Sequence, residues 1–319
     1  MEHRFFSVII PLYNKEEFVE RGIHSVLAQS YPHFELIVVD DGSVDKGPER
    51  VKTINDSRIR LISQANAGVS VARNVGVQHA KYDHVVFLDA DDTWNQDFLA
   101  EINRLITNFP DAGLYGTNIT YRYMDRDDWS IDFSTLFGGN ERGVIPDYYD
   151  FFAKLERSPF SNSSTCIPVS VFNKVGGYMA GVRLTEDSDI WCRIALRHPV
   201  AFSIIPLVTY YAETVNNTRK TMEYKEFQVT LTLKSFLQDQ SVDEGKRKSI
   251  QKLIAFQQLS LVRRAFLNDT RAFALRMLFK KELVLHYPQY FILYPLLAVF
   301  PASWVVYVNK IIKNILTSR

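Results

Sequence analysis

Two short runs place carboxylates directly behind apolar segments. Val85 to Leu88 lead into Asp89-Ala90-Asp91-Asp92, and Leu36 to Val39 lead into Asp40-Asp41-Gly42-Ser43. A short, wholly apolar run reads as a strand buried on both faces, so the acids stand where each strand emerges. In open parallel sheets, ligands bind at that edge. Three crowded acids repel one another unless positive charge sits among them. Hard oxygen donors suit Mg²⁺ or Mn²⁺ carrying a phosphate ligand. A solvated turn, with Asp92 or Thr93 capping a helix that starts near Trp94, would explain such a run in isolation. Ser43 and Asp45 have the same capping explanation, but it does not account for Asp40 and Asp41 both preceding Gly42.

A third stretch, Asn66 to Gly76, combines helix-start residues, small side chains and one cation, Arg73. It would turn free backbone N–H groups and a positive charge toward a diphosphate. Pairing of Arg73 with Asp91 or Asp92 at the surface is the alternative. Glycine-rich dinucleotide and P-loop signatures are absent from the sequence.

The elements that must position these residues follow from periodicity. Phe5 to Ile10, Phe34 to Val39, Arg58 to Ser63 and Val85 to Asp89 read as strands. Helical patterns lie between them at Glu16 to Ser30, up to about Val51, and at Ala67 to His79; another covers Asn95 to Asn108. Such alternation predicts an α/β protein with a mostly parallel sheet and right-handed crossovers. If the strands bearing the two acid runs are neighbours, their carboxylates converge on one crevice. Tyr121 to Asp150 is polar and aromatic, with Gly138-Gly139 as a candidate lid or plain surface loop. Helices at Val169 to Val175 and Thr185 to Leu196, and a strand or strand pair at Ala201 to Tyr211, come next. From about Thr221 the chain reads as entirely helical.

Ile9 to Asn14, Val38 to Asp45, Asn66 to Gly76 and Phe87 to Asp92 together resemble family 2 of the glycosyltransferases, over roughly the first 110 residues. The resemblance implies a GT-A fold, Rossmann-like with helices flanking the sheet. It also implies a nucleotide-diphosphate-sugar donor, a divalent metal (Mn²⁺ or Mg²⁺) and inversion at the anomeric carbon. Carried over by position, Pro11 and Asp41 match contacts to the base. Asp89 matches the acid near ribose and metal, Asp91 the direct metal ligand, and Arg73 the stretch approaching the diphosphate. Tyr13, Asp40, Asn66 and Glu186 complete the expected substrate-binding set. Inverting transfer needs a general base. Asp187 of Thr185-Glu186-Asp187-Ser188-Asp189 matches it, with Asp189 as the substitute; the alternative is a plain helix start, with Thr185 as N-cap and Asp189 as a first-turn acid. Near a helix N-terminus, the Asp187 carboxylate is expected to stay ionised.

The 319 residues have ordinary globular composition, and the two cysteines, Cys166 and Cys192, give no disulfide framework. Met1 leads straight into a strand-like run, so a signal peptide is not expected. The histidines show no metal-ligand spacing. The formal net charge of +1 hides an asymmetry: residues 246–319 carry 13 Lys or Arg against Asp269 and Glu282. A basic C-terminal third predicts an anionic surface as partner. Arg263 to Lys281 alternates basic and apolar residues like an in-plane amphipathic helix. Tyr290 to Val308 holds 19 residues without a charge, interrupted by Pro295 and Pro301, with Tyr290, Tyr294, Trp304 and Tyr307 suited to a membrane interface.

The sequence thus predicts a donor-binding half at 1–110, an acceptor-side half at 111–215 and a helical, basic extension at 216–319. The expected activity is a metal-dependent, inverting, hexosyltransferase-type glycosyltransferase of surface polysaccharide biosynthesis. It would act peripherally on the cytoplasmic face of the plasma membrane, with a saccharide or lipid-linked saccharide acceptor and no nucleic-acid partner. Transfer to a polyprenyl phosphate is the alternative within the family, and a non-catalytic nucleotide-sugar-binding scaffold subunit the alternative outside catalysis. A nucleotidyltransferase would need a Gly-rich, basic loop after the first strand, where Pro11 to Asn14 stand instead.

Overall fold

The computed structural model describes residues 4–212, 226–267, 270–288 and 290. Strand β1 (Phe6–Leu12) is buried at all seven positions, as a continuous apolar run requires at the centre of a sheet. Helix α1 (Val19–Leu27) buries Val19, Ile23 and Val26 at helical spacing and leads back to β2 (Phe34–Asp40). Helix α2 (Gly47–Thr53), β3 (Ile59–Ser63), α3 (Val69–Gln78) and β4 (His84–Phe87) continue the alternation. Strand β5 (Thr93–Trp94) then precedes α4 (Phe98–Asn108). Strand β6 (Leu114–Arg122), the short strands β7 (Trp129–Ser130) and β8 (Arg142–Val144), and helix α5 (Tyr148–Leu155) follow. They lead to β9 (Thr165–Pro168), α6 (Val169–Lys174), α7 (Glu186–Ala195) and the long β10 (Val200–Tyr211).

The main path of the sheet runs β3-β2-β1-β4-β9-β6-β10-β5. The β3-β2-β1-β4 half is parallel throughout, and β9 enters antiparallel to both β4 and β6. This is the mostly parallel, helix-flanked sheet expected from the alternation. The two acid-bearing strands are not neighbours, so the condition of direct adjacency is not met. Strand β1 lies between β2 and β4, so the loop after Leu12 is flanked by both acid runs.

Helix α3 reaches β1 closely because Gly76 has no side chain: a Cβ there would collide with Ile9 Cγ2. Phe98 is the first residue of α4, and Thr93-Trp94 pair with β10 instead of opening a helix. Asp92 and Thr93 are therefore not caps.

The chain divides into two compact units, residues 1–148 with 158–218, and 149–157 with 219–319. In the second unit, α8 (Gln228–Phe236), α9 (Glu244–Leu267), α10 (Arg271–Leu278) and α11 (Lys281–His286) are the described helices besides most of α5. Lys252 of α9 pairs with Asp150 of α5 at 2.7 Å, and Phe152 packs on Phe256. The Arg263-to-Lys281 stretch is not one in-plane helix: it spans the end of α9, all of α10 and the first residue of α11. Tyr290 is buried, its hydroxyl accepting from Arg263 at 2.7 Å, so it is no interfacial aromatic. Residues 291–308, with Tyr294, Trp304 and Tyr307, lie outside the described residues. Among the described residues, no helix is long and apolar enough to cross a membrane.

Candidate active site

The turn after β4 carries Asp89, Asp91 and Asp92 in three different environments. Asp92 is 1% exposed and accepts from the Ser163 hydroxyl and, at 3.4 Å, from the Tyr211 backbone N–H. Burial, then the charges of Asp89 and Asp91, push its pKa well above the ordinary carboxylate range. Ser163 also accepts from the Asp89 N–H at 3.0 Å, while its carbonyl accepts from the Trp94 indole. Asp92 is thus the internal anchor of the turn. Gly22 of α1 completes the fit, since a Cβ there would stand 3.3 Å from the Ala90 carbonyl oxygen.

Asp91 faces outward, its side chain 19% exposed, and its Oδ2 accepts from the Lys15 ammonium at 2.6 Å. Arg21 donates to the Asp91 backbone carbonyl at 2.7 Å while stacking 3.6 Å above the Tyr211 ring. Asp89 accepts from Arg73 Nη2 at 2.7 Å.

Arg73 does not pair with Asp91 or Asp92 and is not a surface residue. Its side chain is 3% exposed, and Nη1 reaches Glu186 Oε1 at 3.2 Å. The Asn162 amide oxygen, in the orientation that satisfies its neighbours, lies 3.2 and 3.1 Å from the two terminal nitrogens. Its amide nitrogen then donates to the Tyr178 hydroxyl. Burial opposes the Arg73 charge, but Asp89, the Tyr178 ring 5.3 Å away and Glu186 hold the guanidinium firmly protonated. Arg73 therefore joins the acid of β4 to the first turn of α7.

That first turn holds Glu186 and Asp187. Thr185 precedes it at φ 64°, left-handed and costly for a β-branched residue, and its hydroxyl makes no cap. Asp187 is not held ionised by the helix start as expected. Burial, then the neighbouring Glu186 charge, push its pKa up to about 7 against the opposing Ser188 N–H and Arg73. Asp189 is no substitute base: it is fully buried and bonded to Arg193, which also donates to the Val175 and Gly177 carbonyls.

On the β2 side, Asp41 is buried and already engaged. Its Oδ1 accepts from Gln64 and the Ala67 N–H, and its Oδ2 from the Gly68 N–H, all at 2.7–2.8 Å. It shapes the loop that leaves Asn66 exposed. Asp40 accepts from the Ser43 N–H, Pro11 is buried within β1, and Tyr13 is 47% exposed at the strand's end.

Asp89 and Asp91 suit a divalent cation in donor chemistry. Both are hard oxygen ligands, and the Lys15 ammonium on Asp91 demonstrates that positive charge is stable there. Among the described residues, no cluster of three His, Cys, Asp or Glu could hold an ion unaided. An ion here would draw its remaining ligands from phosphate and water.

Residues 7–173 match Glycosyl transferase family 2, just over half of the chain. The chain belongs to this family. This family 2 chain is 39% identical over 105 residues to GgaA, a minor teichoic acid biosynthesis protein of Bacillus subtilis, covering 30% of this chain and 24% of GgaA. The chain spans less than two thirds of the length of the curated relatives it matches. Its fold resembles S. aureus TarS 1-349, solved with UDP-GlcNAc, at a TM-score of 0.65 and 18% identity, over 86% of this chain and 79% of that one. It also resembles the mannosyltransferase PcManGT from Pyrobaculum calidifontis, solved with GDP-Man and Mn²⁺ (TM-score 0.58, 17% identity, 94% and 88% of the chains).

Lys15, Arg21, Asn162, Ser163 and Tyr178 escaped the sequence reading. Only Lys15 left a usable signal, as the first cation after the β1 loop that both acid runs flank.

Proposed function

We propose that this chain transfers a glycosyl group, with inversion, from a nucleoside-diphosphate sugar to a saccharide hydroxyl during assembly of a surface polysaccharide. The observation that carries the reading is Asp187, a carboxylate with a pKa near 7 that Glu186 and Arg73 link to the acids of the β4 turn. Such a base is about half ionised at neutral pH and basic enough to take a proton. Residues 1–110 supply the donor side: the Asp41-shaped loop and Asn66 face the nucleoside, and Tyr13 flanks it. Residues 111–215 supply the acceptor side. A divalent cation held by Asp91 and Asp89 would contribute charge that offsets the departing diphosphate. Asp187 takes the acceptor hydroxyl's proton as that oxygen bonds to the anomeric carbon. The bond to the diphosphate oxygen breaks on the opposite face, releasing the nucleoside diphosphate. Arg73 keeps Glu186, and hence the first turn of α7, aligned with Asp89.

The nucleotide-sugar and Mn²⁺ ligands of TarS and PcManGT, and the polymer named for GgaA, support the donor class, the ion and the pathway class. A panel of UDP- and GDP-sugars read by thermal shift, with and without Mn²⁺, tests the reading. Mn²⁺-dependent stabilisation by one donor is expected, and none by any donor refutes it. For the helical unit at 216–319, peripheral binding to an anionic membrane fits exposed Phe279 and Leu285 beside the exposed bases Arg276, Lys280 and Lys281. Flotation with anionic vesicles should fail for the Phe279→Ser, Lys280→Glu, Lys281→Glu variant; unchanged binding would exclude that face as the anchor.

A further inference from the structure

We propose that Lys15 is a diphosphate ligand that holds Asp91 in the donor-free protein and passes to the donor when a divalent cation takes that carboxylate. The inference rests on the proposed glycosyl transfer and assigns a role to a residue outside the expected site.

The Lys15 backbone is fixed, because its carbonyl accepts from the Phe18 and Val19 N–H groups at the start of α1. Its ammonium is sheltered: the side chain is 10% exposed, 2.6 Å from Asp91 Oδ2 and 5.6 Å from the centre of the Phe18 ring. Asp91 Oδ2 cannot serve an ammonium at this distance and a metal ion at about 2.1 Å without bringing two cations face to face. Coordination through Oδ1 alone would still leave two cations on one carboxylate, in a repulsion that favours the departure of one. Arg21 is not the one displaced, since it grips the Asp91 backbone carbonyl and stacks on Tyr211. Lys15 can move, being a compact charge on a flexible four-carbon stem.

Its destination follows from the sheet. Lys15 extends from the loop after β1, between the Asp41-shaped loop at β2 and the ion-binding turn at β4. A nucleoside diphosphate spanning base side and ion side must cross that loop. Its phosphate oxygens then offer a released ammonium charge-assisted hydrogen bonds.

Lys15 therefore opposes the ion when no nucleotide is bound and assists both when they bind together. Ion and nucleotide affinities become coupled, by the same factor in each direction. Mn²⁺ titrations followed by electron paramagnetic resonance, alone and with UDP or GDP, test this on wild type, Lys15→Met and Lys15→Arg. Loss of a pair this sheltered should tighten Mn²⁺ binding by Lys15→Met about tenfold without nucleotide. Nucleotide affinity at saturating Mn²⁺ should fall about tenfold, shrinking the coupling. Lys15→Arg keeps a cation at the loop and should retain most of the coupling, which guards against a folding defect in the methionine variant. Opposite signs for ion and nucleotide are the signature, because a structural defect would weaken both. Unchanged or weaker Mn²⁺ binding by Lys15→Met, or unchanged coupling, overturns the role of Lys15 alone. Absence of Mn²⁺ and nucleotide binding in every protein, wild type included, overturns it together with the proposed function.

Discussion

Replacing Asp187 by Asn removes the proton acceptor while preserving shape, and the pKa near 7 dictates what should change. At pH 6 about a tenth of wild-type molecules carry the ionised base, and at pH 8 about nine tenths. The logarithm of kcat/KM should therefore rise with unit slope up to about pH 7 and then level off. Asp187→Asn should lose about 10²- to 10⁴-fold in rate and lose that slope. Stability supplies an independent sign. A carboxylate whose folded pKa is raised costs folding free energy once ionised, so wild type should lose stability as pH climbs from about 4 to about 7. The loss is bounded at about 4 kcal/mol, and Asp187→Asn should lack it. The variant should thus melt higher than wild type at pH 8 while being nearly inactive. Arg73 lowers the Asp187 pKa, so Arg73→Gln should move the rate profile to higher pH. Initial rates from pH 5.5 to 9 at saturating Mn²⁺, with parallel calorimetric melts, provide the readout. Full activity of Asp187→Asn with an unshifted profile would refute the assignment and favour an acceptor that is already anionic.

Asp91→Asn should abolish saturable Mn²⁺ binding by isothermal calorimetry and cut turnover about 10²- to 10³-fold, with the fold unchanged by circular dichroism. Arg142→Ala leaves Glu101, which is 1% exposed, with Arg104 as its remaining ion-pair partner at 3.2 Å. About 3 kcal/mol of stability should vanish in urea titrations. Glu101's pKa is lowered despite its burial, chiefly by its bond from Arg142, so this contribution exists at neutral pH and is lost as pH falls through the folded value. Gly76→Ala should destabilise by about 1–3 kcal/mol in the same assay, because its Cβ would collide with Ile9 across the α3–β1 contact.

The strand–helix alternation was legible because buried strands and amphipathic helices have distinct periods. The order of strands was not, because an inserted β1 between β2 and β4 leaves no trace in local pattern. Asp89, Asp91 and Asp187 could be picked from acids clustered at element ends. Their environments could not, because Asp187's raised pKa comes from burial beside Glu186, while Asp189, two residues on, is paired with Arg193. Periodicity places a residue on an element but does not report which distant carboxylate it will meet. Arg73 illustrates this, since it is buried between Asp89 and Glu186, 16 and 113 residues away in sequence.

That shared guanidinium also bears on engineering specificity by recombination. A donor-side segment taken from a relative and joined to this chain's acceptor-side segment would unite an Arg73 equivalent from one parent with Glu186 from the other. Chimeras that transplant both residues as a matched pair, with Asn162 and Tyr178, keep the buried charge balanced. Those that split them strand a cation or a carboxylate in the interior, at a cost of about 3–5 kcal/mol.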